Sequence, residues 1–98
     1  MDYQVLIADS ALTDLEGIIE FVAQDDRAAA VRLGEKLVNC ALSLHAMPER
    51  FPLHDKARGI RKMPLPPFLV FYLCDDTTAS VTILHFWHGA RLSPPFRN

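Results

Sequence analysis

Cysteine, glycine and long apolar runs are scarce in this chain, and each scarcity closes a route. Two cysteines in 98 residues, Cys40 and Cys74, are too few for a disulfide framework or a four-cysteine zinc site. Four glycines provide no glycine-rich phosphate loop, and no Gly-x-Ser-x-Gly elbow occurs. No apolar run approaches the roughly 18 residues that cross a bilayer, so no membrane span is expected. The opening MDYQVLIADS has neither a basic flank nor a long apolar stretch, so a secretory leader is not expected and the cytoplasm is. What is present is core material. Half of the residues are hydrophobic and 22% are charged, which suits one folded domain over 1–98.

Charge is unevenly divided. Residues 1–49 hold nine acids and three bases, a net −6, while residues 50–98 hold seven bases and three acids, a net +4. The overall −2 therefore conceals a positive half, which suggests a field directed at nucleic acid or an acidic protein. Its centre is Lys56, Arg58, Arg61 and Lys62, within seven residues that contain no acid. A solvated basic strand edge is the plainer reading of the same residues.

The hydrophobic pattern changes period partway along the chain. Residues 3–8 are short, apolar and β-branched, and read as a strand. Ser10 is a candidate N-cap, with Asp14 and Glu16 suited to the positive end of a helix dipole. Leu15, Ile18, Ile19 and Val22 then form a helical stripe. Asp26 can cap a second helix carrying Ala30, Leu33, Leu37, Ala41 and Leu44, which Pro48 ends. That helix would run about 30 Å and form a hairpin with the first.

Residues 49–58 read as loop and 59–63 as a short strand, limited by Pro64, Pro66 and Pro67. Residues 68–74, FLVFYLC, form an apolar run of strand length, buried on both faces. Asp75-Asp76-Thr77-Thr78 supplies a turn. Residues 80–88 form a last strand that Gly89 ends, with 92–98 as an extended, proline-containing tail. The order strand, helix, helix, strand, strand, strand is α+β: a helical hairpin packed on one face of a small, mainly antiparallel sheet.

Few residues offer chemistry. His85 and His88 lie three apart on a strand, face opposite ways and cannot share a metal, so neither a metal nor a cofactor is expected. Cys40 and Cys74 read as core filler. Alternation puts Val81, Ile83, His85 and Trp87 on one face of the last strand, with Thr82, Leu84, Phe86 and His88 on the other. His88 and Arg91 at that strand's exit could serve RNA cleavage, one moving a proton and the other stabilising charge. A backbone-bonded histidine and a solvated arginine are the plainer alternative.

From Tyr3 to Arg91 the chain resembles the RelE/ParE toxin superfamily, the toxic halves of bacterial toxin–antitoxin pairs. The resemblance is carried by Ala11-x-x-Asp14-Leu15-x-x-Ile18 in the first helix and Ala28-Ala29, Leu33 and Leu37 in the second. Leu44-x-x-x-Pro48, Arg61, Phe71-Tyr72, Val81-x-Ile83-Leu84 and His88-Gly89-x-Arg91 follow in order. It implies the superfamily's fold and two mechanisms: RelE-like members cut messenger RNA on the ribosome, whereas characterised ParE-like members poison DNA gyrase.

Leu69 stands where many of the nucleases carry an arginine, and 92–98 lacks the tyrosine or histidine that several of them use. The resemblance therefore implies a ParE-like gyrase inhibitor of plasmid-stabilisation type, with Arg58, Arg61, Lys62, His88 and Arg91 on its recognition surface. The alternative is a ribosome-dependent endoribonuclease in which His88 transfers a proton while Arg61 and Arg91 stabilise phosphate. A third reading is a degenerate member without toxicity. Either way a cognate antitoxin is implied, acidic and with an amphipathic segment. The +4 half is where that segment or the target is expected. The stiff Pro64–Pro67 stretch is expected either to alter the strand before it or to form a partner-binding edge.

Overall fold

The computed structural model describes residues 2–89. Arg91 and the expected tail at 92–98 lie outside them. In chain order the elements are strand β1 (Gln4–Ile7), helices α1 (Asp9–Ala23) and α2 (Arg27–Leu42), then β2 (Leu53–Asp55), β3 (Ile60–Leu65), β4 (Phe68–Asp75) and β5 (Ser80–His88). Two single 3-10 turns, Ser43–His45 and Pro48–Arg50, fill the link from α2 to β2. The sheet order is β1-β5-β4-β3-β2. β1 runs parallel to β5, and every other pairing is antiparallel. The helices cover one face, so the class is the expected α+β.

The core lies between hairpin and sheet. Leu37 and Ala41 of α2 and Leu44 of the first turn meet Met63, Val70, Tyr72, Val81, Ile83 and Phe86. Tyr72 and Phe71 are consecutive and both buried, so β4 is covered on both faces as its apolar run predicts. Phe71 and Ile60 lie outside the main cluster, on the face turned from the helices, where the His54 ring meets Phe71 edge-on at 4.8 Å. Cys40 and Cys74 pack against the core, and burial pushes the Cys74 thiol above its ordinary value.

Several local expectations are corrected. Ser10 does not cap α1: Ala8 holds that position, and the Ser10 hydroxyl donates to the Leu84 carbonyl, because tertiary contact with β5 offers it a better acceptor. Asp26 does cap α2, its carboxylate accepting from Ala29 N at 3.0 Å. That helix spans 16 residues, about 24 Å at 1.5 Å each, and stops before Leu44 and well short of Pro48. Ser43 Oγ donates to the Cys40 carbonyl, while Arg50 donates to the Ala46 and Met47 carbonyls and to Ser43 Oγ. These bonds take up polar groups at and beyond the helix end, so the chain can turn early.

Residues 49–58 are not all loop, since β2 pairs with β3 through Leu53 and Arg61. Three residues with the sequence Leu-His-Asp carry too little periodicity to announce a strand. β3 extends through Pro64 rather than ending at 63. Lys62 N donates to Pro52 O, so Lys62 and Pro64 direct their backbone away from β4, and proline's missing N–H falls on the open edge. Leu65 and Phe68 pair across Pro66-Pro67, making the proline stretch the end of β3 and a hairpin turn.

The largest correction concerns β5. Its register to β4 passes from Phe71–His85 to Tyr72–Ile83, leaving Leu84 without an opposite residue. This bulge reverses the alternation. Phe86 therefore joins Val81 and Ile83 in the core, rather than sharing a face with Thr82 as strict alternation requires.

Candidate functional site

α1 starts where β1 stops, and it continues along the β5 edge that β1 leaves bare. Ala8 N donates to the Ile83 carbonyl at 2.9 Å, and Ser10 takes the Leu84 carbonyl one residue further. Asp14 then accepts from Phe86 N at 3.2 Å and lies 2.7 Å from His85 Nδ1. Asp14 is thus not simply a dipole partner at the start of the helix. It seals the edge of a bulged strand. The Ala11-x-x-Asp14 spacing was the available signal, but the partner 72 residues away was not.

Beyond Asp14 the helix and sheet diverge and leave an open groove of about 930 Å³. Ile18 and Phe21 of α1, Leu33 of α2, and Phe68 and Phe86 of the sheet make its walls largely apolar. His88 stands at its edge, ring edge-on to Phe68 with centroids 5.3 Å apart. Phe21 is 72% exposed.

The basic residues lie at the other end of the sheet. Arg58 packs on Asp55, its backbone N–H donating to the carboxylate and its Nε 3.6 Å from the second oxygen. Gly59, with φ of 72°, supplies the left-handed residue that closes this turn. Lys62 shares the outward face with Ile60. Arg61 points the other way, and its guanidinium donates to the Phe51 carbonyl at 2.6 Å and the Glu49 carbonyl at 3.2 Å. Beside it the buried Tyr72 hydroxyl donates to the Pro48 carbonyl. Both side chains hold down the segment that carries the second 3-10 turn into β2.

Arg61 and His88 are not brought together. Arg61 lies opposite Tyr72, whereas His88 lies opposite Phe68 on the far side of β4. Four residues separate those positions, which is about 14 Å along the strand, with two strand spacings of about 5 Å across. Arg91 is outside the described residues. Among the described residues no three His, Cys, Asp or Glu side chains are grouped to hold a metal ion, and no helix is long and apolar enough to cross a membrane.

Both tyrosines are held protonated. Donation to the Asp76 carboxylate at 2.7 Å pushes Tyr3 up to about 12, and burial pushes Tyr72 up to about 12 against the pull of Arg61 and Arg50. Unfolded tyrosine ionises near pH 10, so the folded state binds these protons more tightly. Their stabilisation is complete below about pH 10 and is lost as pH rises toward 12. Tyrosinate absorbance of the native chain is expected to stay flat up to about pH 11, where the denatured chain is largely ionised. A spectrophotometric titration of both states checks this, and overlapping curves would contradict it.

The fold has known counterparts. A chain of the toxin–antitoxin complex RelBE2 from Mycobacterium tuberculosis is similar with a TM-score of 0.70 and 23% identity, over 90% of this chain and 99% of that one. A chain of the chromosomal ParDE toxin–antitoxin system of P. aeruginosa is similar with a TM-score of 0.75 and 17% identity, over 88% and 95%. Among curated protein sequences none matches significantly. A helical hairpin over a mixed five-stranded sheet is, on this likeness, the RelE/ParE toxin fold. The sequence pattern of the family described as ParE toxin of type II toxin–antitoxin system, parDE, matches residues 5–93. The chain belongs to that family and is a type II toxin of the RelE/ParE superfamily.

Proposed function

We propose that this toxin acts by binding and inhibiting DNA gyrase, and that a cognate antitoxin neutralises it. The observation that carries the reading is the separation of Arg61 from His88. A ribonuclease that pairs His88 with Arg61 needs the proton-transfer group and that cation to converge on one phosphate. Here the guanidinium is engaged on two backbone carbonyls, and the imidazole packs against Phe68 at the opposite end of β4. The match to the ParE family over residues 5–93 points the same way. Both structural neighbours come from toxin–antitoxin systems, which supports the antitoxin as partner. An inhibitor needs recognition surfaces rather than a reaction centre, and Arg58, Lys62, His88 and Arg91 are the residues proposed for them.

The test is induction of the toxin without antitoxin, followed by parallel pulse labelling with thymidine and methionine. Thymidine incorporation is expected to fall first, and purified toxin is expected to block supercoiling by gyrase. An earlier collapse of methionine incorporation would transfer the assignment to the ribosome. His88→Ala separates the mechanisms further. For an inhibitor it is expected to weaken the effect about tenfold or less, the value of one contact, whereas a general acid or base removed from a nuclease costs about 100-fold to 10,000-fold. A dose–response on growth distinguishes the two.

A further inference from the structure

The two edges of the sheet are built differently. β2 is three residues long, follows Pro52 and precedes Lys56 and Arg58, and its register to β3 is irregular. Shortness, proline, charge and irregularity all discourage another strand from adding to an edge. β1, at the opposite edge, is short but has none of the other three. Gln4–Ile7 contains no charge and no proline, and its register to β5 is unbroken.

The outer side of β1 is a backbone surface of defined length. Gln4 N donates to the Ala79 carbonyl and Ala8 N to the Ile83 carbonyl, so the even-numbered residues turn their N–H and C=O groups toward β5. Alternation directs those of Val5 and Ile7 outward. At one end the His45 carbonyl takes Tyr3 N, and at the other α1 begins at Asp9. α1 then follows the β5 edge, through Ser10 to Leu84 and Asp14 to Phe86, rather than the outer side of β1. It also stands between β1 and the end of β5. Val5 and Ile7 pack on the core, so Leu6 points to the sheet face turned from the helices, and it is 45% exposed.

We propose that β1 pairs with β1 of a second copy of this chain, antiparallel about a two-fold axis, joining two five-stranded sheets into one. With only Val5 and Ile7 directed outward, the register is fixed. Val5 exchanges both hydrogen bonds with Ile7 of the second copy, Ile7 does so with its Val5, and Leu6 meets its own counterpart at the axis. Leu6 then occupies a non-hydrogen-bonded pair, the position at which opposite side chains approach most closely. An uncharged segment meets itself without repulsion, and the open stretch from Gln4 to Ala8 matches the same stretch of the copy in length. Such a contact closes on itself, and the two β2 edges end the joined sheet. It is small, so the association is weak and reversible.

The experiment is sedimentation equilibrium on the full chain. It is expected to be monomeric at about 1 μM and largely dimeric at about 500 μM. Leu6→Lys places two cations across the axis and is expected to weaken the dimer about tenfold or more, with the thermal midpoint of the dilute chain little changed. Leu6→Glu behaves likewise, and an equimolar mixture of the two variants is expected to recover the dimer. Hydrogen exchange in the unmodified chain is expected to slow with concentration at the Val5 and Ile7 amides and not at Leu6, whose N–H faces β5. That pattern needs no variant, so it decides the matter even where a charge at position 6 disturbs folding. A chain still monomeric at about 500 μM, a Leu6→Lys chain that dimerises as well as the original, or a mixture that recovers nothing would each overturn the proposal. None of these outcomes bears on the toxin's target.

Discussion

Arg61→Ala is expected to lower the thermal midpoint by roughly 12–24 °C, through a loss of about 3 kcal/mol. The residue occupies a position at which the family resemblance implies target contact, yet its guanidinium donates to the Phe51 and Glu49 carbonyls. A charged donor is typically worth about 1.5–3 kcal/mol per hydrogen bond, and its removal leaves the partly buried Phe51 acceptor unpaired. The same segment is held by the buried Tyr72–Pro48 bond, so the two anchors are coupled and the loss falls on the second 3-10 turn and on β2. Arg61→Lys keeps the charge but not the forked donor, and is expected to restore only part of the loss. Calorimetry on both variants checks this. A chain that loses toxicity with its midpoint unchanged would make Arg61 a contact of the target instead of a clamp.

Asp14→Ala is expected to cost about 2–3 kcal/mol, because it exposes the unpaired edge of the bulged strand. The carboxylate is shared by Phe86 N and His85 Nδ1, and alanine replaces neither bond. Asp14→Asn retains one acceptor and is expected to lose about half as much. Hydrogen exchange at the Phe86 amide is the sensitive readout: it should accelerate in Asp14→Ala more than core amides such as that of Val70 do. Uniform acceleration across the sheet would mean that the pair contributes only to global stability.

Toxin families of this kind show why fold and function must be argued separately. The same hairpin-on-sheet frame serves RNA cleavage and enzyme inhibition, and what differs is where side chains meet on it. In this chain Arg61 and Lys62 lie toward one end of the sheet and His88 toward the other.

The residues alone determined the element types and their order wherever a long periodic signal existed. The stripe Leu15, Ile18, Ile19, Val22 made a helix, FLVFYLC made a strand covered on both faces, and Asp26 capped α2. These are local effects, set by spacing and by side chains that reach their own backbone. The resemblance carried by Ala11-x-x-Asp14, Phe71-Tyr72 and His88-Gly89 located the family, since order and spacing survive where single residues do not. Tertiary structure decided the rest. Ser10 left its capping role because Leu84 O lay within reach, β2 became a strand only because β3 accepted it, and Pro64 stayed in β3 because its missing donor fell on the open edge. The bulge at Leu84 moved Phe86 into the core, and with it the groove wall and the partner of Asp14. No periodicity encodes a one-residue insertion, whose cost and benefit exist only once β4, β5 and α1 are in contact.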